Sequence, residues 1–285
     1  MHRENTQWEY LAWDLKNHLI EKSKINIDSN NFAAALIELD KAVDVFPKNA
    51  LFFVKNGKNK ESNRDINGAL DDYDKVIKFS LIYIYRGYVK SRIGDIKGAV
   101  QDYEKAEKLK TKYHYVYFLR GRLNVKINNL NSALKDYDNA IKFNKKKNKK
   151  LFAKRAGIKT ELGDHLDAIE DFNKAINFNP TDPFLYVQRG FSKLQIRNIK
   201  SAISDYDKAI KIDSKFFLAY YARGIAKISE ANKSRDIKSK ILCYENSNDD
   251  FKKALKIAPG IANKVEEFIK KNEEAMKVLN ENFLF

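Results

Sequence analysis

One short pattern returns along the whole 285-residue chain, and it decides what the chain can fold into. It reads FAAALIELDKAV at 32–43, INGALDDYDKVI at 66–77, IKGAVQDYEKAE at 96–107 and LNSALKDYDNAI at 130–141. It continues as LDAIEDFNKAI at 166–176 and IKSAISDYDKAI at 199–210, and a worn copy, SNDDFKKALKI, follows at 247–257. The first small residue of each copy is Ala35, Ala69, Ala99, Ala133, Ala168, Ala202 and Ser247, in steps of 34, 30, 34, 35, 34 and 45. A period of this size means an array of similar supersecondary units, each burying its apolar face against its neighbours.

Within the block, Ala, an aromatic four residues on and Ala three further fall on one stripe of an α-helix. The aromatic is Tyr73, Tyr103, Tyr137, Phe172, Tyr206 or Phe251, with Leu39 in the first copy. Asp65, Asp95, Asn129, Asp164 and Asn198 stand four residues before the Ala, where a side-chain acceptor caps the first free N–H groups of a helix. A second block lies upstream. Twelve residues before the Ala is a small residue, Gly57, Gly87, Gly121, Ala156 or Gly190, with Gly224 before the longer last copy. Four residues before each of these is an aromatic: Phe53, Tyr83, Tyr117, Phe152, Tyr186 and Tyr220. Gly costs a helix about 1 kcal/mol against Ala, so its recurrence predicts another helix packed too close for a Cβ. Each unit is therefore read as an antiparallel pair, helix A then helix B, with the Gly facing the small residue of its partner.

This pattern resembles the tetratricopeptide repeat family, whose signature is aromatic-x₂-L-G-x₂-Y, then A-x₃-F-x₂-A, then Pro, on a 34-residue period. Pro47, Pro180 and Pro259 fall twelve residues after the helix-B small residue, Pro183 opens the next helix, and Gly94 and Gly163 occupy the A–B turn. The resemblance implies an all-α, right-handed superhelical solenoid of antiparallel helix pairs. Residues 1–46 then form a degenerate first repeat and cap, with Trp8, Leu11, Leu15 and Leu19 on one stripe and Ser23 at the small position. Residues 47–259 hold repeats two to seven, with an insertion at about 232–245 read as a longer helix or a loop. Residues 260–285 supply a C-terminal capping helix, with the tail Phe283-Leu284-Phe285 expected to cover the last repeat.

The departures from the family pattern are informative. Arg86, Arg120, Arg155, Arg189 and Arg223 replace the usual Leu before the small residue, and Asp102, Asp136, Asp171, Asp205 and Asp250 share one place on helix B. An Arg–Asp pair inside repeats three to seven is expected, against the alternative of a row of arginines reading an acidic ligand. Repeat two carries Asp72 but has Asn56 at the Arg position.

Little here points to chemistry. No phosphate-cradling glycine loop occurs, and His2, His18, His114 and His165 show no metal-binding spacing. Cys243 is the single cysteine and has no evident His partner. No catalytic residue, cofactor or metal is expected, and the chain is read as a non-enzymatic scaffold. A stacked array of helix pairs offers a concave face lined by its A helices. In the family's register that face holds Val54, Lys55 and Lys58, then Leu81, Ile84, Tyr85, Tyr88 and Arg92. Tyr115, Phe118, Arg122, Lys126, Lys150 and Lys154 follow, then Phe184, Gln188, Phe191, Leu218 and Tyr221. Aromatic and Arg side chains are the usual interface anchors, so Tyr85, Tyr88, Phe118, Arg122, Gln188, Phe191 and Tyr221 are the candidate partner-binding residues. The partner expected is a protein or peptide segment, extended or helical, with acidic and apolar residues. Family members that hold a chaperone's terminal carboxylate use a Lys–Asn pair one turn apart. Here those positions carry Val54/Lys58, Ile84/Tyr88, Phe118/Arg122, Val187/Phe191 and Tyr221/Ile225, so that clamp is missing.

The net charge of +16 supports a second reading, a basic helical array that binds RNA, with Lys145-Lys146-Lys147-Asn148-Lys149-Lys150 as its best patch. Abundant Lys, Asn and Ile also fit compositional drift with no partner involved. No apolar run is long enough to span a membrane and the first residues do not read as a signal peptide, so a cytoplasmic location is expected.

Overall fold

The computed structural model describes residues 18–44, 65, 80–109, 114–144 and 149–281, and among these it holds thirteen α-helices and no strand. Repeat two's signature residues Gly57, Ala69, Asp72 and Tyr73 lie outside the described residues. So do Trp8, Leu11 and Leu15, Pro47, Val54, Lys55 and Lys58, the side chains of 145–149 and the tail from 282. The chain divides into two compact units, residues 1–146 and 147–285.

In the first unit, α1 (18–28) and α2 (Phe32–Asp44) form one pair, α3 (80–92) and α4 (Ile96–Lys108) the next, and α5 (His114–Lys126) and α6 (Leu130–Phe143) a third. Helix α3 packs on the first pair: Ile82 and Val89 join Leu19, Ile20, Ala35, Leu39 and Ala42 in one buried cluster. On α4's side a second cluster holds Ile84, Ala99, Tyr103 and Ala106 with Val116, Leu119 and Leu123 of α5.

The second unit pairs α7 (Lys149–Leu162) with α8 (His165–Phe178), α9 (Pro183–Gln195) with α10 (Ile199–Ile212), and α11 (Phe217–Lys233) with α12 (Ile237–Ile257). A short 3₁₀ turn, Pro259–Ile261, leads into α13 (Ala262–Glu281). Helix α9 touches both α7 and α11, so the A helices of this unit lie side by side. Helix α13 closes the end against α12, stacking Phe268 on Phe251 at 5.3 Å. Its buried Asn272 donates to Ser247 Oγ (3.2 Å) and to Asn248 Oδ1 (2.8 Å).

The A–B turns are alike. Asn30, Gly94, Asn128, Gly163 and Arg197, each five residues before the first small residue, have φ of 56°, 91°, 57°, 88° and 60°. A left-handed residue there ends helix A and turns the chain back. The following N–H then bonds to the carbonyl five residues earlier: Asp95 to Lys90, Asn129 to Asn124, Asp164 to Lys159 and Asn198 to Lys193, at 2.7–2.9 Å. The next residue therefore closes helix A and stands at the N-cap of helix B. Asp95 and Asn129 also cap through their side chains, accepting from Gly98 N and Ser132 N, whereas Asp164 and Asn198 make no side-chain cap bond.

The insertion is helical. Helices α11 and α12 run to 17 and 21 residues where the other two pairs of this unit have 13 or 14, and they meet at a turn capped by Asp236. Tyr244 donates to Asn232 Oδ1 at 2.8 Å and ties the two extensions together.

One expectation holds only in part. The helix-A glycines meet the aromatic ring of helix B first and its small residue beside it: Ala99 O lies 3.1 Å from a Cβ placed on Gly87, and Ser247 Oγ donates to Gly224 O at 2.9 Å. A Cβ on Gly87, Gly190 or Gly224 would lie 2.7, 2.6 or 2.7 Å from a ring carbon of Tyr103, Tyr206 or Phe251. Fully buried rings at these places need a flat backbone opposite, and the small residues flanking each ring on helix B are fully buried too.

Candidate binding site

Charged residues on helix A separate into two kinds, and the separation locates the site. The first kind is structural. Arg86, Arg120, Arg155, Arg189 and Arg223 each grip the Asp of their own helix B through Nε and Nη2, at 2.6–3.1 Å. These Asp side chains are buried, and the two-pronged geometry is the strong form of this interaction. Each guanidinium also lies 5.4–5.9 Å from the centre of the aromatic ring three residues before it. The remaining nitrogen, Nη1, reaches outward as well: Arg86 to Asp40 (2.9 Å), Arg120 to Glu107 (2.6 Å), Arg189 to Asn173 (2.6 Å) and Arg223 to Asp207 (2.5 Å). The row of arginines is thus committed to Asp.

A second cation was hidden in the same register. Lys90, Lys159, Lys193 and Lys227, one turn after the Arg, place Nζ 2.8–3.1 Å from the same carboxylates. In the pair α5–α6 the position is Asn124, which donates to Asp136 Oδ2 at 2.8 Å. Burial holds Asp136 above the ordinary carboxylate range despite the Arg120 fork. Burial would raise Asp171 as well, but Arg155 and then Lys159 outweigh it and hold its carboxyl below that range.

The second kind of cation faces an opening. Between α3 and α5 lies a cleft of about 340 Å³ lined by Tyr88, Ser91 and Arg92 of α3, Leu119, Arg122, Leu123 and Lys126 of α5, and Tyr103 of α4. The ring of Phe32 supports Arg92 at 5.1 Å, and that of Phe118 supports Arg122 at 5.8 Å. Phe118 is half-buried, stacked with Tyr115 (5.9 Å) and edge-on to Tyr137 (6.2 Å). Of the candidate residues, Tyr88 and Arg122 line this cleft with Phe118 behind Arg122, and Tyr85 is half-buried against the first pair's core. In the second unit, Gln188 is half-buried and Phe191 is 43% exposed on α9. Tyr221 packs against Phe251 (5.9 Å) and Phe268 (6.3 Å), under the capping helix.

A larger opening of about 740 Å³ lies beside the extended pair α11–α12, where Arg197, Lys200 and Lys233 stand with Glu230, Leu242 and Cys243. Burial pushes the Cys243 thiol up, and Glu230 adds to the effect, so it is a poor nucleophile. Among the described residues no cluster of His, Cys, Asp and Glu could hold a metal, and no helix is long and apolar enough to cross a membrane.

The model of the tetratricopeptide repeat family matches residues 150–182 and 185–216, the pairs α7–α8 and α9–α10. These two pairs are tetratricopeptide repeats. Repeats three, four and seven carry the same small-residue, aromatic, Arg and Asp register. Solved structures of similar fold include YrrB, described as a tetratricopeptide repeat protein with an unusual peptide-binding site, at 19% identity and TM-score 0.54. That likeness covers 66% of this chain and 92% of YrrB. MamA is similar at 22% identity and TM-score 0.55 over 65% of this chain and 94% of MamA. A MamA fragment from Desulfovibrio magneticus RS-1 follows at 11% identity and TM-score 0.56, over 64% and 96%. At these identities the likeness concerns the fold. No curated protein sequence matches the chain.

Proposed function

We propose that this repeat protein is a cytoplasmic, non-enzymatic adaptor whose A-helix face binds an extended or helical segment of a protein partner, one carrying acidic and apolar residues. The observation that supports it most is the cleft between α3 and α5. There Tyr88, Arg92, Arg122 and Lys126, from two adjacent A helices, surround one concavity, while the arginines of the Arg–Asp row are turned to structural use. Aromatic and guanidinium groups at a concave surface are what carries binding energy in protein interfaces. Tyr85 and Phe118 are assigned to this cleft's surroundings as supporting contacts, and within the second unit Gln188, Phe191 and Tyr221 of the A helices α9 and α11 are assigned as supporting contacts of their own unit.

The test is a pull-down of the tagged protein from its native lysate, with and without nuclease, at low and moderate salt. The expected result is a defined protein that survives nuclease and moderate salt and is lost with Phe118→Ala/Arg122→Glu. Recovery of nucleic acid alone, disappearing steeply with salt, refutes the adaptor and makes the array a phosphate-backbone binder.

A further inference from the structure

We propose that the cleft between α3 and α5 is an oxyanion site, which takes a carboxylate or phosphoryl group carried by the bound segment. The source of that group rests on the adaptor reading; the site itself rests on four observations. First, the three cations of the cleft, Arg92, Arg122 and Lys126, pair with no carboxylate among the described residues, whereas five arginines on the same helix series are all forked to Asp. Second, among the described residues no Asp or Glu lines the cleft, so three like charges stand together at a cost to the folded chain that a bound anion would offset. Third, both guanidinium groups rest on ring faces, Arg92 on Phe32 and Arg122 on Phe118. Stacking of this kind orients the planar group and leaves its in-plane N–H donors for an oxygen ligand. Fourth, the volume of about 340 Å³ admits one acidic side chain, and Tyr88 adds an aromatic group to the wall.

The two cleft arginines stand at other places on helix A than the five structural ones. Arg92 stands six residues after Arg86, and Arg122 two after Arg120, so both lie on the A-helix side away from the buried Asp. Their charge is available because helix B offers nothing to neutralise it.

The experiment is isothermal titration of the full chain with inorganic phosphate and with N-acetyl-Glu-Glu-amide, each at ionic strength held constant with chloride. Saturable binding is expected, weakened about tenfold by Arg92→Gln/Arg122→Gln, because two charge-assisted hydrogen-bonding groups are lost. A control with the same change of charge, Lys208→Gln/Lys211→Gln on exposed turns of α10, leaves it unchanged. Lys126→Gln, whose head is exposed, reads the same site without touching the ring stacks and should weaken binding about threefold. Preference for phosphate marks a phosphorylated segment, and preference for the peptide marks an acidic one. Equal losses in the cleft and control variants, or titration curves that never saturate, overturn the oxyanion site. Failure of the two readings is separable. A cleft that binds phosphate in a chain that captures no partner sinks the adaptor alone. A partner segment held equally by wild type and Arg92→Gln/Arg122→Gln sinks the anion site alone.

Discussion

Asp205→Asn is the sharpest probe of how this array is held together. The carboxylate is 4% exposed and takes three charged donors: Arg189 Nε at 2.9 Å, Arg189 Nη2 at 2.6 Å and Lys193 Nζ at 2.8 Å. Asn preserves the volume but removes the charge, keeps one acceptor oxygen and turns an NH₂ toward a cation. Removing one partner of a buried ion pair costs about 3–5 kcal/mol, because the other charge is left buried without compensation. The side chains of Arg189 and Lys193 retain 17% and 18% of their exposure, so water recovers part of that. The expected loss is about 3 kcal/mol, at the low end of that range. With a urea m-value of about 2 kcal/mol/M, the unfolding midpoint measured by circular dichroism falls by about 1.5 M.

The decisive comparison is the double variant Asp205→Asn/Arg189→Met. Replacing both partners by groups of similar shape is far cheaper than removing one, so the second substitution should restore about half of the lost stability. Arg189 also gives up its bond to Asn173 and its contact with the Tyr186 ring, and this keeps the rescue incomplete. Hydrogen exchange should localise the damage to α9, α10 and the helices packed on them, because a helical array couples mainly neighbour to neighbour. Asp205→Asn shifting the midpoint by less than about 0.5 M, or a double variant as weak as the two single losses added, would refute the reasoning.

Two further outcomes follow from the same geometry. Arg197 holds a left-handed backbone where Gly94 and Gly163 do so freely; that conformation costs an L residue about 1–2 kcal/mol, and Gly returns about 0.5–1 kcal/mol of it in chain entropy. Arg197→Gly should therefore raise stability by about 0.5–1 kcal/mol, and a lower melting temperature would contradict this. Asp136 is held above the ordinary carboxylate range, so its contribution declines as pH rises through that folded value. Asp171 is held below it and contributes stability that is present above about pH 4 and lost as pH falls further. Asn124→Lys supplies the cation that Lys159 gives Asp171, so its stabilisation over wild type should grow by about 1 kcal/mol from pH 3 to pH 6; a difference independent of pH would contradict it.

Much of this architecture was legible because the repeats report the same environment several times. A single Arg before a Gly says little, but five of them, each matched by an Asp at one place on helix B, imply contact. The structure shows that contact in all five pairs. The Lys one turn later recurs just as regularly, yet Lys is common enough in this chain to pass for surface. The ring as the glycine's nearest neighbour was missed for a related reason. Ala and Tyr recur at fixed places on helix B, and spacing cannot tell which of the two comes closer to the Gly until ring size and helix separation are known. The role of Tyr221 under the capping helix was illegible because it depends on Phe268, which belongs to no repeat.

The repetition that makes the pattern readable also limits what it can specify. Inside each hairpin the Arg–Asp pair fixes register, since a slip of one turn would bury an unpaired charge. Between hairpins it discriminates poorly, because every unit presents the same chemistry. Arg189 and Arg223 reach Asn173 and Asp207, each 16 residues back and five residues after its unit's first small residue. Arg86 reaches Asp40, at the same register position but 46 residues back, and α3 buries Ile82 and Val89 against that same first pair. One unit's surface can therefore receive helix A of a unit that does not follow it directly. Order along the array must come from what is not repeated: the steps of 30 and 45, the extended pair α11–α12 and the Asn272 network that only the last pair can accept.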